Sequence, residues 1–124
     1  NAVLVQRPFQ TPYFLAVFHT LTSDRQYENY FVQFTVSAPY RPIGVSRALP
    51  LVKDDDDCPT FASGLTLLPA SGDFDSDRVA VGYGSCDEQA RVLVLALVEV
   101  ELLFTPFDDE TRYAGGTGEA VVGV

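Results

Sequence analysis

Apolar and polar residues alternate along most of the chain in short runs, and this pattern predicts β-strands. β-Branched and aromatic residues recur in runs that Gly, Pro, Asp and Ser interrupt, whereas few stretches show the spacing of an amphipathic helix. The predicted strands are Ala2–Gln6, Tyr13–Thr20, Tyr27–Ser37, Ile43–Leu49, Phe61–Leu68, Arg78–Ser85, Arg91–Val100 and Glu119–Val122. The sequence therefore indicates an all-β protein.

Two of these strands show contrasting patterns of burial. In Tyr27–Ser37 an apolar face alternates with a mostly polar one, which predicts a half-buried strand. The expected apolar face consists of Tyr30, Val32, Phe34 and Val36. Arg91–Val100 contains an unbroken apolar run and is predicted to be covered on both faces. Glu99–Phe104 could instead form one helical turn.

Turn-forming residues separate the strands as hairpins require, most clearly at Thr22–Asp24 and Ser71–Asp77. Consecutive strands should therefore pair antiparallel. Two blocks, Tyr13–Leu49 and Phe61–Val100, each combine a hairpin with a further strand, at about the period of a four-stranded propeller blade. We predict two four-stranded, blade-like sheets, over roughly 1–52 and 58–104.

The C-terminal part of the chain differs in composition. Residues 105–118 are rich in Gly and Asp and indicate a linker, and residues 119–124 form the terminal strand. This strand could close a sheet in the same fold or in a neighbouring molecule. The chain begins at Asn1 and contains no Met, which indicates a processed chain or a piece of a longer one.

The amino-acid composition and the net charge limit the classes of molecule that the protein is expected to bind. At 124 residues, with 47% hydrophobic and 20% charged residues, the chain has the size and balance of one folded domain. Its net charge of −9 repels phosphate backbones and anionic headgroups, so a nucleic-acid partner is not expected. No apolar run approaches the roughly 20 residues of a membrane-spanning helix, so no membrane role is expected either.

The two cysteines flank the fifth and sixth predicted strands. If these strands pair through a turn near Asp73, Cys58 at the start of one faces Cys86 at the end of the other, and a disulfide is plausible. The alternative is two buried thiols. With the disulfide, we expect an oxidising, extracellular or secretory-pathway setting.

The acidic string Asp54–Asp57 has two interpretations. One is a solvated loop of mutually repelling carboxylates. The other is a calcium site that uses Asp55, Asp56 and Asp57, aided by the alternating acids after Ser71. The match to a calcium-binding loop is incomplete, because a loop starting at Asp73 would have Gly84 at the position where a bidentate acid is required. We therefore expect no metal cofactor, with calcium as the alternative.

The other polar residues that could belong to a functional site also have ordinary structural interpretations. His19, the single histidine, follows an apolar strand, where a hydrogen-bonded structural role is common. In the segment Tyr83–Asp87, Gly84 permits an unusual backbone angle that would turn Asp87 toward a cavity, but the segment also fits an ordinary polar turn. No nucleophile elbow surrounds Ser63 or the other serines.

Taken in order, several segments resemble the C-terminal half of five-bladed β-propellers of the glycoside hydrolase type. The resemblance is strongest to glycoside hydrolase family 130, the mannoside phosphorylases and hydrolases, and extends to propellers attached to glycosyltransferases. The matching segments are Tyr13–Thr20, Tyr27–Phe34, Ile43–Leu51, Cys58–Leu65, Val79–Asp87 and Ala90–Val100.

The resemblance implies a sugar-binding funnel at the propeller axis. Asp87, Tyr83, His19 and Ser63 match inward-facing positions, with Asp87 accepting hydrogen bonds from sugar hydroxyls. Tyr27 or Tyr83 would offer an apolar face to a pyranose ring. Where the family commonly has a histidine in the third strand, this chain has Asn29, which argues against phosphorolysis. The family's general acid lies in earlier blades, so a complete enzyme is not expected in these residues.

Two functional hypotheses follow. The first is a carbohydrate-binding or carbohydrate-processing propeller segment, with no catalytic residue assigned. The second is a secreted structural subunit that assembles with copies of itself by exchanging the terminal strand.

Overall fold

Two antiparallel sheets and one short helix form the computed structural model, which describes residues 1–23, 26–52, 59–85 and 89–104. Sheet A has the order β1-β2-β3-β4 and sheet B the order β5-β6-β7. The elements are β1 (Ala2–Val5), β2 (Tyr13–Leu21), β3 (Tyr27–Phe34), β4 (Pro42–Val45), β5 (Thr60–Leu68), β6 (Arg78–Ser85), β7 (Gln89–Ala96) and α1 (Leu97–Leu102). The predicted all-β class and the antiparallel pairing of consecutive strands are confirmed.

The two sheets differ in strand number. Sheet A has the four strands predicted for residues 1–52. Among the described residues sheet B has three of the four predicted for residues 58–104, and α1 follows β7 directly. The predicted terminal strand Glu119–Val122 and the linker before it lie outside the described residues. Among those described, no helix is long and apolar enough to cross a membrane.

The prediction that the seventh strand is covered on both faces is wrong. β7 pairs only with β6, so it lies at the edge of sheet B in the described structure. Val92 is 64% exposed and Val94 50% exposed, while Leu93 and Leu95 on the other face pack against the core. The central strand β6 has three consecutive buried residues, Val79, Ala80 and Val81.

The core lies between the sheets and draws on one face of each. On sheet A, register pairs Val3 with Leu15 and Val17 with Phe31, and Leu15 and Phe31 are fully buried. On sheet B, register pairs Leu65 with Val81, and both are buried. We call these the core faces and the opposite sides the outer faces.

Strand β3 alternates as predicted, but the other face of the strand points to the core. Asn29 and Phe31 are buried on the core face, whereas Tyr30 and Phe34 lie half-buried on the outer face. Of the predicted apolar face, Tyr30, Val32 and Phe34 therefore lie on the outer face of sheet A, where Val32 is nevertheless only 8% exposed. Val36 lies beyond the end of β3.

Helix α1 fastens the end of sheet B to sheet A. Glu101 forms an ion pair with Arg7 at 2.6 Å and accepts a hydrogen bond from the Tyr13 hydroxyl at 3.1 Å. Arg47 donates to the Leu102 carbonyl at 2.8 Å. Burial, followed by the nearby Glu101 carboxylate, raises the pKa of Tyr13, so this phenol stays protonated and keeps donating.

Candidate functional site

Some of the residues predicted to act lie outside the described part of the chain. These are Asp87, both members of the expected Cys58–Cys86 disulfide, and the acidic residues Asp55, Asp56 and Asp57. The strand pairing on which the disulfide prediction depends is present, because Thr60 at the start of β5 pairs with Ser85 at the end of β6.

His19 and Tyr27 are brought together with a third ring, Phe61. The His19 and Tyr27 ring centroids lie 5.1 Å apart in an edge-to-face arrangement. Phe61 lies 5.9 Å from His19 and 5.6 Å from Tyr27. The three rings connect β2 and β3 of sheet A with β5 of sheet B, and His19 keeps an exposed side chain.

Phe61 also borders a groove of about 490 Å³ on sheet B. The groove is lined by residues of all three strands of the sheet: Phe61, Ser63, Gly82, Tyr83, Gly84, Gln89, Ala90, Arg91 and Val92. Ser63 and Tyr83, both predicted site residues, therefore share this groove with a ring that contacts the other two. Phe61 therefore links the predicted site residues of sheet A, His19 and Tyr27, to those of sheet B, Ser63 and Tyr83.

Local strand geometry explains why the groove is open. Phe61 pairs with Gly84 and Gly64 pairs with Gly82, with a bulge between Ala62 and Gly64 that leaves Ser63 without a strand partner. A Cβ added at Gly64 or Gly82 would meet no atom within 4 Å. Gly82 and Gly84, the glycines that line the groove, have no side chains, so the groove floor lies at backbone level beside Phe61.

Ser63 contributes an exposed hydroxyl. Its Oγ lies 3.4 Å from the Gly82 carbonyl, which is long for an O–H···O hydrogen bond. The hydroxyl can therefore turn toward a ligand at small cost, as a donor and as an acceptor.

Tyr83 does not offer its ring to the groove as predicted. The residue is only 5% exposed and belongs to the core, beside Val79 and Val81 on the same face of β6. Its hydroxyl accepts a hydrogen bond from the Val52 N–H at 3.2 Å. Tyr83 thus supports the groove from beneath.

Asn29 has a structural role. It is buried, its Nδ2 donates to the Thr60 carbonyl at 2.9 Å, and its Oδ1 accepts from the Ala62 N–H at 2.8 Å. The side chain thereby joins β3 to the edge of β5 and fixes the segment that carries Phe61.

Phe61 was missed as a site residue, although a signal was present. On the opposed strand, glycines alternate with Val81 and Tyr83, which indicates an open face opposite the core face. An aromatic residue of β5 that lies across the ladder from those glycines is left exposed to solvent, because glycine has no side chain to cover it. That inference requires the β5–β6 register, which the sequence alone does not provide.

Within the described ranges, no three His, Cys, Asp or Glu side chains lie close enough together to hold a metal ion. Comparison with known proteins gives no match among protein-family models, curated proteins or solved structures.

Proposed function

We propose that this protein binds neutral carbohydrate in the groove beside Phe61. The observation that carries the proposal is an aromatic ring next to an open, glycine-floored groove that also contains the Ser63 hydroxyl. Ligand sites commonly combine apolar surface with a few placed polar groups, and a pyranose presents both an apolar face and hydroxyls.

The ring supplies the apolar part of such a site. Phe61 is half-buried, and contacts with His19 and Tyr27 hold it from the side of sheet A. A ring already held in place loses little side-chain entropy when a ligand stacks on it. The three aromatic residues thus act as one preorganised platform.

The polar side chains of the groove are those of Ser63, Gln89 and Arg91, and the Arg91 guanidinium donates to Gln89 Oε1 at 3.3 Å. Ser63 and Gln89 present a hydroxyl and an amide, both of which donate and accept hydrogen bonds. No Asp or Glu is present among the described residues that line the groove. The net charge of −9 disfavours anionic sugars, and we assign binding without a catalytic step.

The resemblance to carbohydrate-active propellers adds Asp87 to the proposal. This residue belongs to the three-residue connection between Ser85 and Gln89, which are paired in the β6–β7 ladder. As an ionised carboxylate it would accept hydrogen bonds from sugar hydroxyls.

Isothermal titration calorimetry with neutral mono- and oligosaccharides tests the proposal. We expect Phe61→Ala to raise the dissociation constant at least about tenfold, because the variant removes the stacking surface. Tyr40→Ala is the matched control, since it removes an exposed ring from the β3–β4 connection, away from the groove. Binding by no saccharide at millimolar concentration, or equal loss in both variants, would contradict the proposal.

A further inference from the structure

Strand β7 leaves one edge of sheet B uncovered by any described element. It contacts β6 and α1, and no other strand or helix among the described residues lies against it. The opposite edge of the same sheet, at β5, is covered by sheet A, because the Asn29 amide bonds with the Thr60 carbonyl and the Ala62 N–H. In the described part of the chain, the uncovered edge of sheet B is therefore the one at β7.

Hydrogen bonding shows which backbone groups of β7 face this edge. The Ala96 N–H donates to the Glu99 carboxylate at 2.8 Å, so it points away from β6. In an antiparallel ladder, alternate residues direct their backbone N–H and C=O groups to the same edge. The N–H groups of Val92 and Val94 therefore also point away from β6, whereas the Leu93 N–H points toward β6.

The edge lacks most of the features that prevent pairing with a further strand. β7 contains no Lys or Pro, and its register with β6 has no bulge. Its one charged residue is Arg91, near the start of the strand. Val92 is 64% exposed and Val94 is 50% exposed. A regular and largely apolar edge of this kind is a template for a further strand.

We propose that residues 119–124 pair with β7 and form the fourth strand of sheet B within the same chain. These six residues are rich in Val, whereas residues 105–118 are rich in Gly and Asp and include Pro106. A strand that follows β7 and pairs with it would repeat the order of sheet A, in which four consecutive strands lie side by side.

The connection is long enough to reach the edge and short enough to favour the same chain. From Phe104 to Glu119 the chain can span about 50 Å, whereas a 124-residue domain has a radius of gyration of about 14 Å. A Gly-rich linker of this length holds the segment near the edge at an effective concentration on the order of millimolar. Pairing within the chain is therefore favoured over pairing with a second copy at micromolar protein concentration.

The sequence of residues 119–124 also indicates which side of the added strand faces the core. The even-numbered residues of the segment are all apolar, whereas the alternate set begins with Glu119. A carboxylate on the core side would be costly to bury, so the set that contains Val122 faces the core. There it lies beside the half-buried Leu93 and Leu95, and Val121 lies on the outer face.

Amide hydrogen exchange of the full chain, measured by nuclear magnetic resonance, tests the proposal residue by residue. The Val92 and Val94 N–H groups should exchange at least about 100-fold more slowly than in an unstructured peptide, because the added strand accepts their hydrogen bonds. Val122→Asp places a carboxylate on the core side and should bring both rates to within about tenfold of the unstructured rate. Val121→Asp adds the same charge to the outer face and should preserve the slow exchange.

The Leu93 N–H serves as an internal control, since it faces β6 and should exchange slowly in every variant. Fast exchange at Val92 and Val94 in the wild-type protein would overturn the proposal. Slow exchange that survives Val122→Asp, or that Val121→Asp abolishes equally, would also overturn it. So would a dimer in sedimentation velocity that Val122→Asp dissociates, because the strand would then come from a second copy. None of these outcomes depends on sugar binding.

Discussion

Among single residues, Asn29 is the one whose substitution we expect to change the free energy of unfolding most clearly. Its amide occupies the free edge of β5, where it pairs with a carbonyl and an N–H as a neighbouring strand would. In Asn29→Ala, the Thr60 carbonyl and the Ala62 N–H lose these partners inside the protein. We expect the free energy of unfolding to fall by about 3 kcal/mol, measured by urea unfolding.

The control for this experiment is Glu28→Ala, on the same strand but with an exposed side chain. We expect a change within about 0.5 kcal/mol for that variant. Equal losses in the two variants would show that Asn29 does not bridge the sheets. The sequence identified Asn29 as unusual but not as a bridge, because its partners lie 31 and 33 residues further along the chain.

Tyr83 and Phe61 show the same limit on what the sequence alone can predict about the candidate site. Both are aromatic, and the resemblance implied that Tyr27 or Tyr83 would offer the apolar face to a sugar ring. Tyr83 shares its side of β6 with Val79 and Val81, so it is buried, whereas Phe61 faces Gly84 across the ladder. The ring available to a ligand is decided by strand register, which depends on contacts between strands.

At the level of elements, the β5–β6 connection contains a carboxylate that stabilises the turn. The Ser71 hydroxyl, and then the backbone N–H groups of Ser71 and Gly72, hold the pKa of Asp77 below its ordinary value of 3.8. The unfolded chain therefore binds this proton more readily than the folded protein. The resulting stability is present above pH 3.8 and is lost as pH falls through the lower, folded-state pKa.

Asp77→Asn should therefore destabilise the protein most at neutral pH. The difference in urea midpoint between wild type and variant should shrink as pH falls below 3.8. Asp75→Asn removes a carboxylate from an exposed residue of the same loop and is the control. A difference for Asp77→Asn that stays constant from neutral to acid pH would refute the assignment.

Element boundaries were predictable where the sequence changes character sharply. β6 has the predicted bounds, since polar turn residues precede it. The seventh strand ends earlier than predicted because α1 begins at Leu97, and the Glu99 side chain accepts a hydrogen bond from the Ala96 N–H at 2.8 Å. An Ala in place of Ser or Thr at the helix start hides this capping pattern in the sequence.

At the scale of the whole molecule, the two sheets share one hydrophobic core. The buried cluster combines Leu15 and Phe31 of sheet A, Leu65 and Val81 of sheet B, and Val100 of α1. Neither sheet has a second described layer with which to bury its core face. We therefore expect the sheets to unfold together, although the sequence pattern presents them as two similar blocks.

The chain contains no Trp, so a single introduced Trp can report on each sheet separately. Phe18→Trp reports on sheet A and Val94→Trp on sheet B, both at outer-face positions that are not fully buried. Both probes should give one urea midpoint. Adding Leu15→Ala, which opens a cavity in the core face of sheet A, should lower stability by about 3 kcal/mol and shift both midpoints equally. If the sheet B probe keeps its midpoint, the sheets are independent units, because a shared core transmits the loss to both.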